Sequence, residues 1–268
     1  MDNICFPFVE LPAARSQKKP RQSGLTMIAD WGMALGEVED LMKLAGVYAD
    51  FVKIVTGTAR LYPRDYLQAK LEVYAKAGLR PFIGGQFVEY VFAEQGRRAL
   101  AAFFKEARDV GFATIEVSDN CLPLNDSERR SIIQEAVSSG LSVMGEVGSK
   151  DESSDVAVLV RQAEVCFESG AEFVLVEAAE LVDGGAINLE MIEALRQGLD
   201  LKRVMIELPG PWISGVTLSQ IEDRKKVLVV ELGPDVNLAN VKPHDLIATE
   251  ALRVGLGVVG PKQRRVVD

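Results

Sequence analysis

Along the chain, short apolar runs rich in β-branched residues alternate with longer stretches in which apolar residues return every three to four positions. The short runs have the length and composition of buried strands, and the longer ones the spacing of amphipathic helices. Eight strands are predicted: "LTMIAD" ending at Asp30, "DFVKIV" from Asp50, "RPFIGG" ending at Gly85, "TIEVSD" ending at Asp119, "SVMGEV" ending at Val147, "FVLVEA" ending at Ala178, "RVMIEL" ending at Leu208 and "DVNLAN" ending at Asn240. Helices between them include "VEDLMKLAG", "RDYLQAKLEVYAKAG" and "RALAAFFKEARDVG", with Gly46, Gly78 and Gly111 as C-terminal stops. The segment "KKVLVVELG" at 225–233 reads locally as a ninth strand, but the helical "LSQIEDRK" before it favours a single helix over 217–231. Right-handed crossovers close eight such units around one core, so the expected fold is an α/β single-domain (β/α)8 TIM barrel. The expected organisation is an N-terminal arm over 1–25, the barrel over 26–258 and a C-terminal tail over 259–268.

Composition narrows the partners. With 268 residues, 48% of them hydrophobic, the chain can bury one large core without a second domain. A net charge of −9 argues against nucleic acid and anionic membranes and leaves small molecules as the expected partners. The start "MDNICFPFVELP" lacks a signal-peptide pattern, and no run reaches about 18 apolar residues, so a cytoplasmic location is expected. Cys5, Cys121 and Cys166 have no CxxC spacing and support neither a disulfide framework nor a zinc site, and Cys166 reads as the apolar face of a helix. His244 is the single histidine and follows Pro243 like a helix-start residue, which leaves Ser-His-Asp chemistry without support. The basic segment "ARSQKKPRQSG" at 14–24 is either a solvated tail or an arm that closes the barrel or contacts a second copy.

In a (β/α)8 barrel the chemistry sits at the C-terminal ends of the strands. Six strands or their following loops deliver Asp30, Lys53, Glu116, Asp119, Glu146, Lys150, Glu177 and Glu207 there. Charges embedded in apolar strand runs are costly unless paired or bound to a metal. Mg²⁺ suits such hard carboxylate oxygens, and Glu116, Glu146 and Glu177 are the candidate ligands. The alternative is a ring of salt bridges from these acids to Lys53, Lys150 and helix arginines.

The motifs "DFVKIVTGT", "FIGGQFVEY", "IEVSDN", "GEVGSKD" and "VNLAN", in that order, resemble the phosphosulfolactate synthase family, including its bacterial and plant heat-stress-associated relatives, over residues 15–255. The resemblance implies a Mg²⁺-dependent barrel lyase that adds sulfite to phosphoenolpyruvate, a small anionic metabolite, through an enolate-like species. Lys150 matches the family's general acid, Lys53 a mouth lysine that steers anionic groups, and Asp30 and Glu116 match acidic strand-end positions. Asp119, Glu207, Asn237 and Asn240 are the candidate substrate contacts. A homo-oligomer is compatible with the resemblance, and so is a noncatalytic, stress-associated or interaction protein that kept the barrel.

The chain departs from the family pattern at several positions. Trp31 follows the first-strand aspartate, "IVTGT" stands for "FGWGT", and the seventh loop over 210–224 is long. Ala179 occupies the place of an arginine, with Leu181 and Val182 in place of a Ser-Gly pair, and Gly257 occupies the place of a second arginine. A charge-assisted hydrogen bond contributes about 1.5–3 kcal/mol, so losing two guanidinium clamps is worth roughly 3–6 kcal/mol. The expectation is weak sulfite addition, a less anionic substrate with Trp31 or Trp212 against it, or compensation by Arg15, Lys18, Lys19 and Arg21 if the arm folds over the mouth.

Overall fold

The computed structural model describes residues 5–11, 13, 15–16, 18–148, 155–177, 181–183, 186–211 and 213–257. The strands are β1 (Thr26–Asp30), β2 (Phe51–Ile54), β3 (Arg80–Ile83), β4 (Thr114–Val117), β5 (Ser142–Val147), β6 (Phe173–Glu177), β7 (Val182–Asp183), β8 (Ala186–Ile187), β9 (Val204–Glu207) and β10 (Leu238–Val241). Eight of them close in the order β1-β10-β9-β6-β5-β4-β3-β2, every neighbour parallel, while β7 and β8 form a separate antiparallel pair in the connection after β6. Each predicted strand overlaps one barrel strand.

The helices are α1 (Leu35–Ala45), α2 (Arg64–Lys76), α3 (Gly85–Gln95), α4 (Leu100–Val110), α5 (Asp126–Ser138), α6 (Val156–Glu168), α7 (Leu189–Gly198), α8 (Leu218–Leu232) and α9 (Leu246–Arg253). The ambiguous "KKVLVVELG" falls in α8, as one helix. Gly111 ends α4 in the left-handed region at φ 116°, as expected of a stop. Gly46 does not: it keeps a right-handed φ of −56° and passes α1 into the 3-10 turn Gly46–Tyr48. No helix among the described residues is long and apolar enough to cross a membrane.

Two apolar layers result. The outer faces of the strands pack against the helices, and inside the barrel Leu25, Met27, Phe51, Phe82, Met144, Leu175, Met205 and Ala239 form a second cluster. Side chains along a strand alternate faces, so residues two positions beyond this plug point inward again, one layer nearer the mouth. That parity takes Phe51 to Lys53, Met144 to Glu146, Leu175 to Glu177 and Met205 to Glu207. The charged groups therefore sit on top of a filled core, not in a pore.

The basic arm belongs to the opposite end. Arg21 donates Nε and Nη2 to the two oxygens of buried Asp50 at 2.9 and 2.6 Å, just before β2, and Asp50 Oδ2 also accepts the Thr26 N–H. Arg15 binds Glu250, Asp235 and the Pro234 and Gly24 carbonyls, and Lys19 donates to the carbonyls of Gly46 and Ala77. These partners precede β1, β2 and β10 or lie where helices run back to the strand starts. The arm closes the base of the barrel, so Arg15, Lys19 and Arg21 cannot supply the mouth with cations. Lys18 is exposed.

Candidate active site

At the strand C-termini lies a cleft of about 570 Å³, lined by Trp31, Lys53, Thr56, Gly85, Glu116, Asp119, Asn120, Cys121, Glu146, Glu207, Asn240 and neighbouring residues. Lys53 is its central cation. Its Nζ is 2.8 Å from Glu116 Oε2 and 3.1 and 3.2 Å from the two oxygens of Glu207. Burial alone would drive the proton off this amine, but attraction to Glu116, Glu207 and Glu146 outweighs it and raises the pKa above the usual lysine range.

Glu116, Glu146, Glu177 and Glu207 are each at most 2% exposed. Desolvation, with Glu146 beside it, raises the Glu116 carboxyl well above the usual range against the opposing pull of Lys53. Oxygens of Glu146, Glu177 and Glu207 come within 4.8 Å of one another, close enough to share one cation. Glu207, expected as a substrate contact, thus joins this cluster. Glu116, expected as a metal ligand, instead pairs with Lys53 and accepts the Gly85 N–H at 3.0 Å. That bond needs glycine: a Cβ on residue 85 would lie 2.1 Å from Ser118 Oγ, so only Gly85 lets the N-terminus of α3 approach β4 this closely.

Asn240 lines the cleft with φ 57° and donates Nδ2 to Glu207 Oε1 at 2.5 Å. Asp119 also lines it, with a carboxylate that accepts from buried Arg129 of α5; burial, with Glu146 and Glu89 nearby, raises its pKa against the opposing pull of Arg129. Lys150 and Ala179 lie outside the described residues, as does Trp212. Cys166 is buried on α6, where desolvation pushes its thiol up to about 11, and His244 sits in a turn before α9. Neither residue lines the cleft.

Three expectations are corrected. Asp30 is not at the cleft surface: fully buried, it pairs with Lys70 Nζ at 2.7 Å, accepts from Tyr74 at 2.7 Å, and caps the Gly32 and Met33 N–H groups with its other oxygen. Its acceptor sites are spent on α2 and on the loop that carries Trp31, so it holds the scaffold. Asn237 lies at the other end of β10, where its amide accepts from Leu25 N–H and donates to the carbonyls of Leu201, Lys202 and Val204. Gly257 is also remote. It follows α9, whose last residue, Arg253, binds the Pro234, Val236 and Leu25 carbonyls at the base. A Cβ at 257 would lie 2.8 Å from the Leu252 backbone, so no arginine is missing from the mouth there. Leu181, in turn, packs in the outer core at 1% exposure.

Sequence reasoning missed Glu89, Asn120 and Arg129. Glu89 accepts from Ser118, Asn120, Cys121 and Leu122, and Asn120 donates to Glu146 Oε1 at 2.6 Å. The available signal was an acid inside the apolar helical stretch "QFVEYVF", a charge that burial tolerates only with partners.

A phosphosulfolactate synthase of Methanothermobacter thermautotrophicus is 31% identical over 249 residues, covering 89% of this chain and 91% of the relative. Protein HEAT-STRESS-ASSOCIATED 32 of Arabidopsis thaliana is 22% identical over 266 residues, covering 88% and 87% of the two chains. Among solved structures, 3-hexulose-6-phosphate synthase of Salmonella typhimurium shares the fold with a TM-score of 0.52 at 14% identity, over 86% of this chain and 98% of the other. The model of the (2R)-phospho-3-sulfolactate synthases matches residues 14–258. With that match spanning the barrel and its acidic mouth, the chain belongs to the (2R)-phospho-3-sulfolactate synthase family and is a lyase-type enzyme.

Proposed function

We propose that the cleft joins sulfite to phosphoenolpyruvate, or a close enol-acid relative, with Mg²⁺ held by Glu146, Glu177 and Glu207. The observation that carries this reading is the approach of these three carboxylates to within 4.8 Å of one another. Three hard oxygen donors fit Mg²⁺, and a divalent ion between carboxylates this close would offset their mutual repulsion. When bound there, Mg²⁺ supplies positive charge to the substrate carboxylate as it gains electron density.

The protein groups do the rest. Lys53, held protonated by Glu116 and Glu207, attracts the substrate's anionic end. Asn240 and Asp119 offer polar contacts along the wall, and Trp31 an apolar one. The sulfite sulfur lone pair forms the carbon–sulfur bond at the methylene carbon, and the π pair shifts toward the carboxylate. Lys150 then gives its proton to the carbon bearing the phosphate ester, so no oxidant or reductant is required.

The remoteness of Gly257 removes one of the two reasons to expect weak sulfite addition. The deficit shrinks to one guanidinium, about 1.5–3 kcal/mol. Incubation of the protein with phosphoenolpyruvate, sulfite and Mg²⁺, read by mass spectrometry, is expected to yield phosphosulfolactate that disappears with chelator. No product above the protein-free control would overturn this substrate pair.

A further inference from the structure

The loop over 118–122 leaves β4 along the cleft wall, and one carboxylate grips it. Glu89, in the second turn of α3, is 4% exposed, and each of its oxygens accepts two hydrogen bonds. The Ser118 hydroxyl and the Asn120 N–H (3.2 Å) donate to Oε1; the N–H groups of Cys121 (2.6 Å) and Leu122 (2.9 Å) donate to Oε2. Four donors use the carboxylate's capacity, the kind of partnering that offsets the cost of burying a carboxylate. From the other side, Arg129 of α5 binds Asp119 and donates to the Glu146 carbonyl at 2.9 Å. Between these two grips stands Asn120, whose Nδ2 donates to Glu146 Oε1 at 2.6 Å.

We propose that Glu89 is a positioning residue for the metal cluster: it fixes the 118–122 loop so that the Asn120 amide orients Glu146 toward Glu177 and Glu207. This rests on the metal reading above. The same helix sends the Gly85 N–H to Glu116, so α3 orients two of the four mouth glutamates, one directly and one through the loop. The carboxylate is the form that accepts from all four donors. A glutamine would keep its oxygen on the Cys121 and Leu122 N–H groups, losing the charge assistance of those bonds, and would turn its NH2 toward the Ser118 hydroxyl, which can rotate to accept, and the Asn120 N–H, a donor-to-donor clash in place of that hydrogen bond.

The test compares wild type, Glu89→Gln, Asn120→Ala and the double variant by backbone hydrogen exchange and by Mg²⁺ titration calorimetry. In Glu89→Gln, the amides of residues 120–122 are expected to exchange about tenfold faster or more, while barrel-strand amides keep their protection. Mg²⁺ affinity is expected to fall about tenfold in each single variant, the scale of losses when a group supporting a metal ligand is removed, and no further in the double variant. Glu89→Asp, which keeps the charge, is expected to recover part of the loss. Wild-type loop exchange in Glu89→Gln, wild-type Mg²⁺ affinity in it, or losses that multiply in the double variant would overturn the proposal. A wild-type protein that binds no Mg²⁺ would instead sink the metal reading, and the orienting role with it, while the exchange rates would still decide whether Glu89 holds the loop.

Discussion

Glu177 on β6 stands in register with Glu207 on β9, two buried carboxylates side by side on adjacent parallel strands. Like charges so placed are destabilising, and a divalent ion between them would offset that. Glu177→Gln, which removes a proposed metal ligand, is therefore expected to gain less melting temperature on Mg²⁺ addition than wild type does, because a bound ion stabilises the native state more the tighter it binds. Melting curves in chelator and in Mg²⁺ give the two shifts; an equal Mg²⁺ shift in both proteins would contradict the account.

Lys53 has the opposite sign. It is the cation shared by Glu116 and Glu207, and removing one partner of a buried ion pair costs about 3–5 kcal/mol. Lys53→Met is expected to lose stability on that scale in urea unfolding without metal, and to regain more than wild type does when Mg²⁺ is added. Equal stability of the two proteins would mean that the pair is energetically idle.

Asp30 is assigned to the scaffold, so Asp30→Asn is expected to lower stability by about 3–5 kcal/mol by leaving the Lys70 charge buried without its partner. Tyr74→Phe, which removes one donor to the same carboxylate, should cost about 1–2 kcal/mol. If Asp30→Asn kept full stability and lost turnover, Asp30 would be a catalytic group.

At the base, burial pushes Lys19 down to about 8 from the ordinary 10.5, with Asp50 pulling against that shift. Between those values the folded state binds fewer protons than the unfolded chain, so this lysine's contribution to stability rises with pH over that window. Subtracting the stability of Lys19→Met from that of wild type should give a difference that becomes more favourable to wild type from pH 8 to 10.5. A flat difference would show that Lys19 keeps its ordinary pKa.

The barrel was legible because each strand is a short β-branched run and each helix a longer one with helical spacing. Even "KKVLVVELG" yielded once its polar helical neighbours were read with it. Glu146, Glu177 and Glu207 were legible as charges at the ends of apolar runs, and strand parity explains why they point inward. What the sequence could not supply was which oxygen meets which cation. Lys70 and Asp30 are 40 residues apart in the chain, and only the packing of α2 beside β1 brings them together. Asn237 and Asn240 are three residues apart, yet one precedes β10 at the base and the other lies near its C-terminal end at the mouth, where it takes a positive φ. Glu89 is hidden for a related reason: its four donors lie about 30 residues downstream.

The central claim is that Glu146, Glu177 and Glu207 together hold a divalent ion beside Lys53. Mn²⁺ takes the same hard oxygen ligands as Mg²⁺ and scatters anomalously, so a crystal grown with Mn²⁺ and phosphoenolpyruvate reads the site directly. The account predicts one anomalous peak within about 2.0–2.3 Å of an oxygen from each of the three glutamates, with the substrate's carboxylate and water taking the remaining positions. A fully occupied peak elsewhere, or ordered phosphoenolpyruvate in the cleft with no metal between these three side chains, would contradict it.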